Sequence, residues 1–214
     1  MAPGREYTGA VASEPEIARI DEAEEAEERQ PDPEREARRL VALAQIRQYP
    51  DPVLRMRARE VESFDDELAQ LVQRMATLME NADGAGLAAT QVGVLRRVFV
   101  MRAGENGDTR TLVNPELVSR SDEVDVDDEG CLSLRGLLVP VERSSSVTVK
   151  AKDPQGADVA LELTGFEARA CQHEIDHEHA VEVIDLVLAG TGLEACELER
   201  DVSSLNIFRL HCHR

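Results

Sequence analysis

The stretch Gln172-His173-Glu174-Ile175-Asp176-His177 constrains this chain more than any other. Two histidines four residues apart come within reach of one ion when they lie on a helix, where positions i and i+4 stand about 5–6 Å apart at Cβ. The spacing therefore predicts a helix with one functional face. Glu174 follows the first histidine by one residue and so points about 100° away round the axis. That offset suits a carboxylate acting on water beside a metal rather than on the metal itself. The same pattern also occurs on ordinary polar helix faces. The remainder of the chain must therefore supply a third ligand and a surface to hold a substrate.

Composition sets outer bounds. A length of 214 residues is enough for one domain with a real core plus a tail or two. Aromatic residues make up only 3% and there is no Trp, so the core must be aliphatic. The formal charge of −19 argues against direct nucleic-acid binding, which rests on Lys and Arg neutralising phosphates. It argues equally against an anionic membrane surface. No apolar run of about 18 residues occurs, so no membrane span is expected. The first twenty residues lack the basic start and apolar middle of a secretory signal, and a cytoplasmic location is expected. The cysteines Cys131, Cys171, Cys196 and Cys212 are too far apart for a disulfide scaffold.

Residues 1–39 are rich in Glu, Asp and Arg, with an acidic block over 21–28. Too little apolar surface is present there to drive packing, and the expectation is a disordered segment or a solvated helix. The extension is bounded at 1–45, the catalytic domain at 46–189 and a C-terminal tail at 190–214. Deleting residues 1–40 is accordingly expected to cost little activity. The prolines Pro50 and Pro52 forbid a helix interior at the domain entry. Residues 63–82 then read as a long amphipathic helix, with Leu68, Leu71, Val72, Met75, Leu78, Met79 and Ala82 on one face and Ser63 as N-cap.

Residues 84–93 follow, with glycines and small side chains that let another backbone approach. They lack the third glycine of a dinucleotide loop and the Gly-Lys-Ser/Thr ending of a phosphate loop. Apolar strands over 97–101 and 109–113 flank a turn, and Asn114-Pro115 is expected to end that hairpin. An acidic stretch over 122–129 leads into Glu129-Gly130-Cys131-Leu132-Ser133. Alternating strands follow, with Val147, Val149 and Ala151 on one and Val159, Leu161 and Leu163 on the other. On the helix after Gly165, Phe166, Ala170, His173 and His177 share a face. Short strands followed by a ligand-bearing helix suggest an α+β domain.

Three of these stretches, over 84–91, 129–133 and 173–177, stand in an order and spacing that resemble the three motifs of the peptide deformylases. The entry over 49–55 and the helix that follows it are similar to that family as well. The resemblance covers roughly residues 46–177 and implies short, mostly antiparallel strands around a central metal-ligand helix. It implies Cys131, His173 and His177 as metal ligands, one sulfur and two nitrogens, with a tetrahedral position left open. It implies Glu174 as the proton-transferring carboxylate, and Gln91 with the Leu132 backbone N–H as donors to the oxyanion. Ala85, Gly86 and Gly130 would lie along the peptide. Phe166 and Ala170, with Leu132, Arg169 and His173, would accept a methionine side chain, and Glu129 would hold a ligand in place. The implied substrate is an N-formylmethionyl peptide from a newly made chain, with transient contact at the ribosome. The implied metal is iron(II), with zinc or nickel as substitutes. Two departures stand out: Glu178 and Glu182 replace apolar residues after the second histidine, and Val141 follows Val139-Pro140 where many members carry Arg.

Two other readings fit the same residues. One is a generic H-E-x-x-H metalloprotease taking a downstream third ligand such as Glu194 or His211. The other is a catalytically silent homologue that binds nascent chains or ribosomes.

Overall fold

The computed structural model describes residues 32–104 and 107–180, together with the backbone of two strands further on. Helix α1 spans Pro33–Leu43 and α2 Asp66–Asn81. Strands β1 Gly86–Ala88, β2 Val98–Ala103, β3 Asp108–Arg120, β6 Ser146–Lys152 and β7 Asp158–Thr164 form one antiparallel sheet in the order β1-β2-β3-β6-β7. Strands β4 Val124–Cys131 and β5 Leu134–Ser144 make a separate antiparallel ribbon. Helix α3, Gly165–Glu178, carries the two histidines. The predicted α+β class with short, mostly antiparallel strands is what the chain adopts.

The sheet is covered on both faces at β2, where Val98 to Met101 form an apolar run. Side chains alternate across a strand. Val98 and Val100 join α2 in one core, with Leu68, Met75 and Met79. Phe99 and Met101 point the other way and join Ala168, Cys171 and Ile175 of α3. Each fully buried Leu or Met on α2 contributes about 1.5–3 kcal/mol of hydrophobic stabilisation. Strand β6 is wet on one side, so there Val147, Val149 and Ala151 are buried while Lys150 is exposed.

Several boundaries differ from expectation. Helix α2 starts at Asp66, not at Ser63, because Asp65 is the N-cap and accepts from the Leu68 backbone N–H at 3.0 Å. Strand β3 does not stop at Asn114-Pro115. It passes through them with a shift of register between Val113 and Glu116. Asn114 takes the left-handed conformation at φ 50° and ties the Val61 N–H and C=O with its side chain at 2.8 and 2.9 Å. A bulge absorbs the missing proline N–H, which a straight ladder could not. The acidic stretch before Cys131 is strand β4, whose aspartates face solvent. Part of the proposed extension is also ordered: α1 opens with Pro at its first position, and its Ala42 and Leu43 are buried in the α2 core. Residues 1–31 and 181–194 lie outside the described residues, and with them the acidic block and Glu182. In the C-terminal tail, for which no structure was expected from the sequence, the backbone over Ala195–Asp201 (β8) pairs antiparallel with Ile207–His213 (β9). No helix among the described residues is long and apolar enough to cross a membrane.

Candidate active site

Three elements meet at the end of α3. The ribbon β4–β5 turns over at Cys131-Leu132-Ser133, bringing the thiol against the helix. Cys131 Sγ lies 3.3 Å from His177 Nε2, and ligand atoms of Cys131, His173 and His177 all fall within 4.8 Å of one another. The two imidazoles stand edge to face with centroids 5.0 Å apart. The histidine spacing of the sequence and the distant cysteine thus converge on one point.

Charge at that point suits a divalent cation. Burial alone would raise the Cys131 thiol, but the His177 charge and hydrogen bonds from both histidines bring it down to about 6. Burial would lower His173, but Cys131 and Glu129 raise it to about 9. A thiolate held against protonated imidazole is an ion pair whose protons a metal replaces. The donor set of one sulfur and two nitrogens matches a site with a further position open. These residues fit a divalent metal.

Glu129 organises the surroundings. His173 Nδ1 contacts Glu129 Oε2 at 2.9 Å, which turns Nε2 toward the cluster. Arg143 grips the same carboxylate through two bonds of 2.9 Å, and Arg169 adds a third at 2.8 Å. Burial works against the charged carboxylate, yet Arg143 and His173 hold Glu129 down to about 2. Arg143 also donates to Asp176, between the two histidines, and so fastens the ribbon to α3. Gln172 adds a neutral clamp, its amide donating to Ser144 O at 3.0 Å.

Glu174 points from α3 into a cleft of about 470 Å³ that also holds Cys131 and His173. Its Oε2 is buried and has no hydrogen-bond partner among the described residues. Burial pushes its carboxyl up to about 7. Gly86 leaves the room for it: a Cβ there would stand 2.3 Å from Glu174 Oε1. Gln91 sits on a 3-10 turn, Ala89–Val92, closed by Gly93 at φ 82°. Its Oε1 accepts from the Ala88 N–H at 2.8 Å, which aims Nε2 at Cys131 Sγ, 3.4 Å away. Ala85, Gly86, Gly130, Leu132, Phe166 and Ala170 all line the same cleft. Phe166 is 62% exposed and forms its lip rather than its floor. The Leu132 carbonyl accepts from Gln48 Nε2 at 2.9 Å, which pins the turn after the cysteine.

Sequence reasoning missed Arg143. The arginine sought directly after Val139-Pro140 is two residues further on. Its signal was available, since Val139, Val141 and Arg143 alternate onto one buried face of β5. An arginine on an apolar strand face demands a carboxylate partner. Cys171 is a buried thiol off the ligand face, pushed up to about 12 by burial first. Glu178, flagged as a departure, is fully buried against Arg97 at 3.3 Å. Glu194 and the His211 side chain, the alternative third ligands, lie outside the described residues.

Residues 43–189 match the model of the polypeptide deformylase family. A peptide deformylase of Thermotoga sp. (strain RQ2) is 45% identical over 145 residues, covering 68% of this chain and 87% of that protein. One from Natranaerobius thermophilus is also 45% identical over 145 residues, covering 68% and 92%. Among solved structures, the peptide deformylase of Thermotoga maritima superposes with a TM-score of 0.64 at 43% identity, over 66% of this chain and 95% of that one. That of Legionella pneumophila gives 0.63 at 39%, over 66% and 83%. With the fold, the motifs and the sequence all shared over most of those proteins' length, this chain belongs to the peptide deformylase family.

Proposed function

We propose a division of labour within the cleft for the activity that family membership carries, hydrolysis of the N-formyl group from N-formylmethionyl peptides. One observation supports it most: Cys131, His173 and His177 converge while the carboxylate of Glu174 enters the same cleft with one oxygen unpartnered. Cys131, His173 and His177 hold one divalent ion, iron(II) by preference and zinc or nickel as substitutes. Bound there, the ion supplies Lewis acidity and makes water acidic enough to attack near neutral pH.

Glu174 accepts a proton from the water that attacks the formyl carbon. When the C–N bond breaks, it delivers that proton to the departing amine, leaving formate and a free N-terminus. Gln91 Nε2 and the Leu132 N–H donate to the formyl oxygen as it gains charge, and losing one such donor typically costs about 10²–10³ in rate. The peptide lies along β1, the edge strand of the sheet. In the antiparallel ladder Gly86 falls between hydrogen-bonded positions, so its N–H and C=O face the open edge. Ala85, Gly86 and Gly130 give the peptide backbone its path, and Leu132, Phe166 and Ala170 surround the methionine side chain. Such a substrate places the protein in the cytoplasm, with transient contact at the ribosome.

A metalloprotease with a downstream ligand would leave Cys131 idle, and the position of its thiol 3.3 Å from His177 argues against that. Turnover of formyl-Met-Ala-Ser by anaerobically prepared, iron-loaded protein is the direct test. Formate release should depend on both Glu174 and Cys131. Full metal content and activity in Cys131→Ser, or equal formate from Glu174→Ala, would sink this assignment of roles.

A further inference from the structure

The cleft extends well beyond the ligand cluster. From Gly86, at Glu174, its wall runs back through Ala85 and Gly84 to Asp83. Asp83 closes that wall in the turn after α2, at φ 56°, where it meets α1. Arg39 lines the cleft close enough to Asp83 for its charge to act on that carboxyl, and Asp127 and Asp128 of β4 contribute to the same lining. Arg39 belongs to α1 and precedes residues 43–189, the stretch shared with the family.

Helix α1 is firmly placed. Ala42 and Leu43 are buried, and Arg35 Nη2 meets Asp83 Oδ1 at 2.8 Å. The hydrogen bond from Arg35 lowers the Asp83 carboxyl and occupies its charge. Arg39 is bound more loosely, by a 3.5 Å contact to Glu36 on its own helix with both side chains about two-fifths exposed. Pairs of that kind contribute little, so the guanidinium can turn to an incoming carboxylate at small cost.

We propose that Arg39 is a specificity-determining residue that favours an acidic side chain, and disfavours a basic one, at the third residue of the formylated peptide. The inference rests on the deformylase reading, with the peptide laid along β1. A peptide whose methionine stands beside Ala85 and Gly86 and which runs on toward Asp83 carries its third residue to the part of the cleft where Arg39 stands. Asp127 and Asp128 favour the opposite charge from β4, so Arg39 keeps the acidic substrate competitive.

The test is the ratio of kcat/KM for formyl-Met-Ala-Glu over formyl-Met-Ala-Lys, measured in the full-length, metal-loaded protein. A ratio within one preparation does not depend on the fraction of active enzyme. It should fall about 2–5-fold in Arg39→Ala and further in Arg39→Glu, as expected for one partly exposed charge pair. The difference between variants should shrink in about 1 M salt, where screening reaches a few ångströms. Turnover with the same ratio in wild type and Arg39→Glu would overturn this inference alone. No formate from any peptide would overturn the deformylase reading and this inference with it.

Discussion

Two buried carboxylates flank α3, and they are held in opposite ways. Glu129 reaches the helix from β4 and is gripped by Arg143, Arg169 and His173; against its burial, Arg143 and His173 hold it down to about 2. Glu178 lies at the last turn of α3 itself. Burial there is opposed by the charge and hydrogen bond of Arg97, and its carboxyl rises to about 8. Its Oε1 finds no partner among the described residues. Both acids are buried, Glu178 the more deeply. Depth of burial and the number of cations around each together decide whether it is a fixed charge or a costly one. The fixed one orients a metal ligand through His173. The costly one stands next to His177 and ties the helix end to Arg97, just before β2.

The sharpest way to break the contrast is to remove Arg143. In Arg143→Met the Glu129 carboxylate loses its bidentate partner and Asp176 loses its tether. Breaking a buried pair from one side typically costs about 3–5 kcal/mol, and loss of a group that orients a metal ligand costs about 10–100-fold in affinity or activity. Metal content after dialysis and kcat/KM should fall together. Unchanged metal affinity would show that His173 is oriented without this network.

Removing the cation at the other end should do less. Arg97→Met leaves Glu178 buried without its guanidinium, but a carboxyl already raised to about 8 can remain neutral. A loss of about 1–3 kcal/mol is expected, the range for a buried polar group left unsatisfied. Chemical denaturation measures it. A loss as large as that in Arg143→Met would erase the distinction between the two acids.

The smallest effect is expected from Glu178→Leu, which puts an apolar side chain in its place. With its carboxyl raised to about 8 and one oxygen unpartnered, Glu178 is an unsatisfied buried polar group near neutral pH, and an apolar side chain there removes that cost. Arg97 retains its bond to the Pro115 carbonyl and its proximity to Glu60 at 3.6 Å. The melting temperature should hold or rise by a few degrees, with metal content unchanged. A clear fall would mean that Glu178 supports the helix end more than its single cation suggests.

Much of this site was legible in the chain. A histidine pair four apart, a glutamate beside it, a glycine-rich stretch and a Glu-Gly-Cys turn each carry local meaning. The helical face of α2 was also readable, because Leu68, Met75 and Met79 recur at the period of a helix packed on one side. Strands β4 and β5 were not, because the ribbon projects from the main sheet and carries aspartates where a covered strand would carry Val or Ile. Nor was α1, whose buried side chains are confined to its final turn.

The sequence by itself determined which donors exist: one thiol, two imidazoles and a carboxylate, with a helix to space the histidines. Helical period and side-chain chemistry are local properties, and they survive reading without coordinates. Tertiary structure alone decided that Arg143 and Arg169 both meet Glu129, that Gly86 makes room for Glu174, and that Arg39 reaches the cleft. Those facts depend on pairs 14, 40 and 88 positions apart, and on a cleft shared by α1 and β1. Contacts between such distant residues follow from how layers pack, which no local pattern encodes.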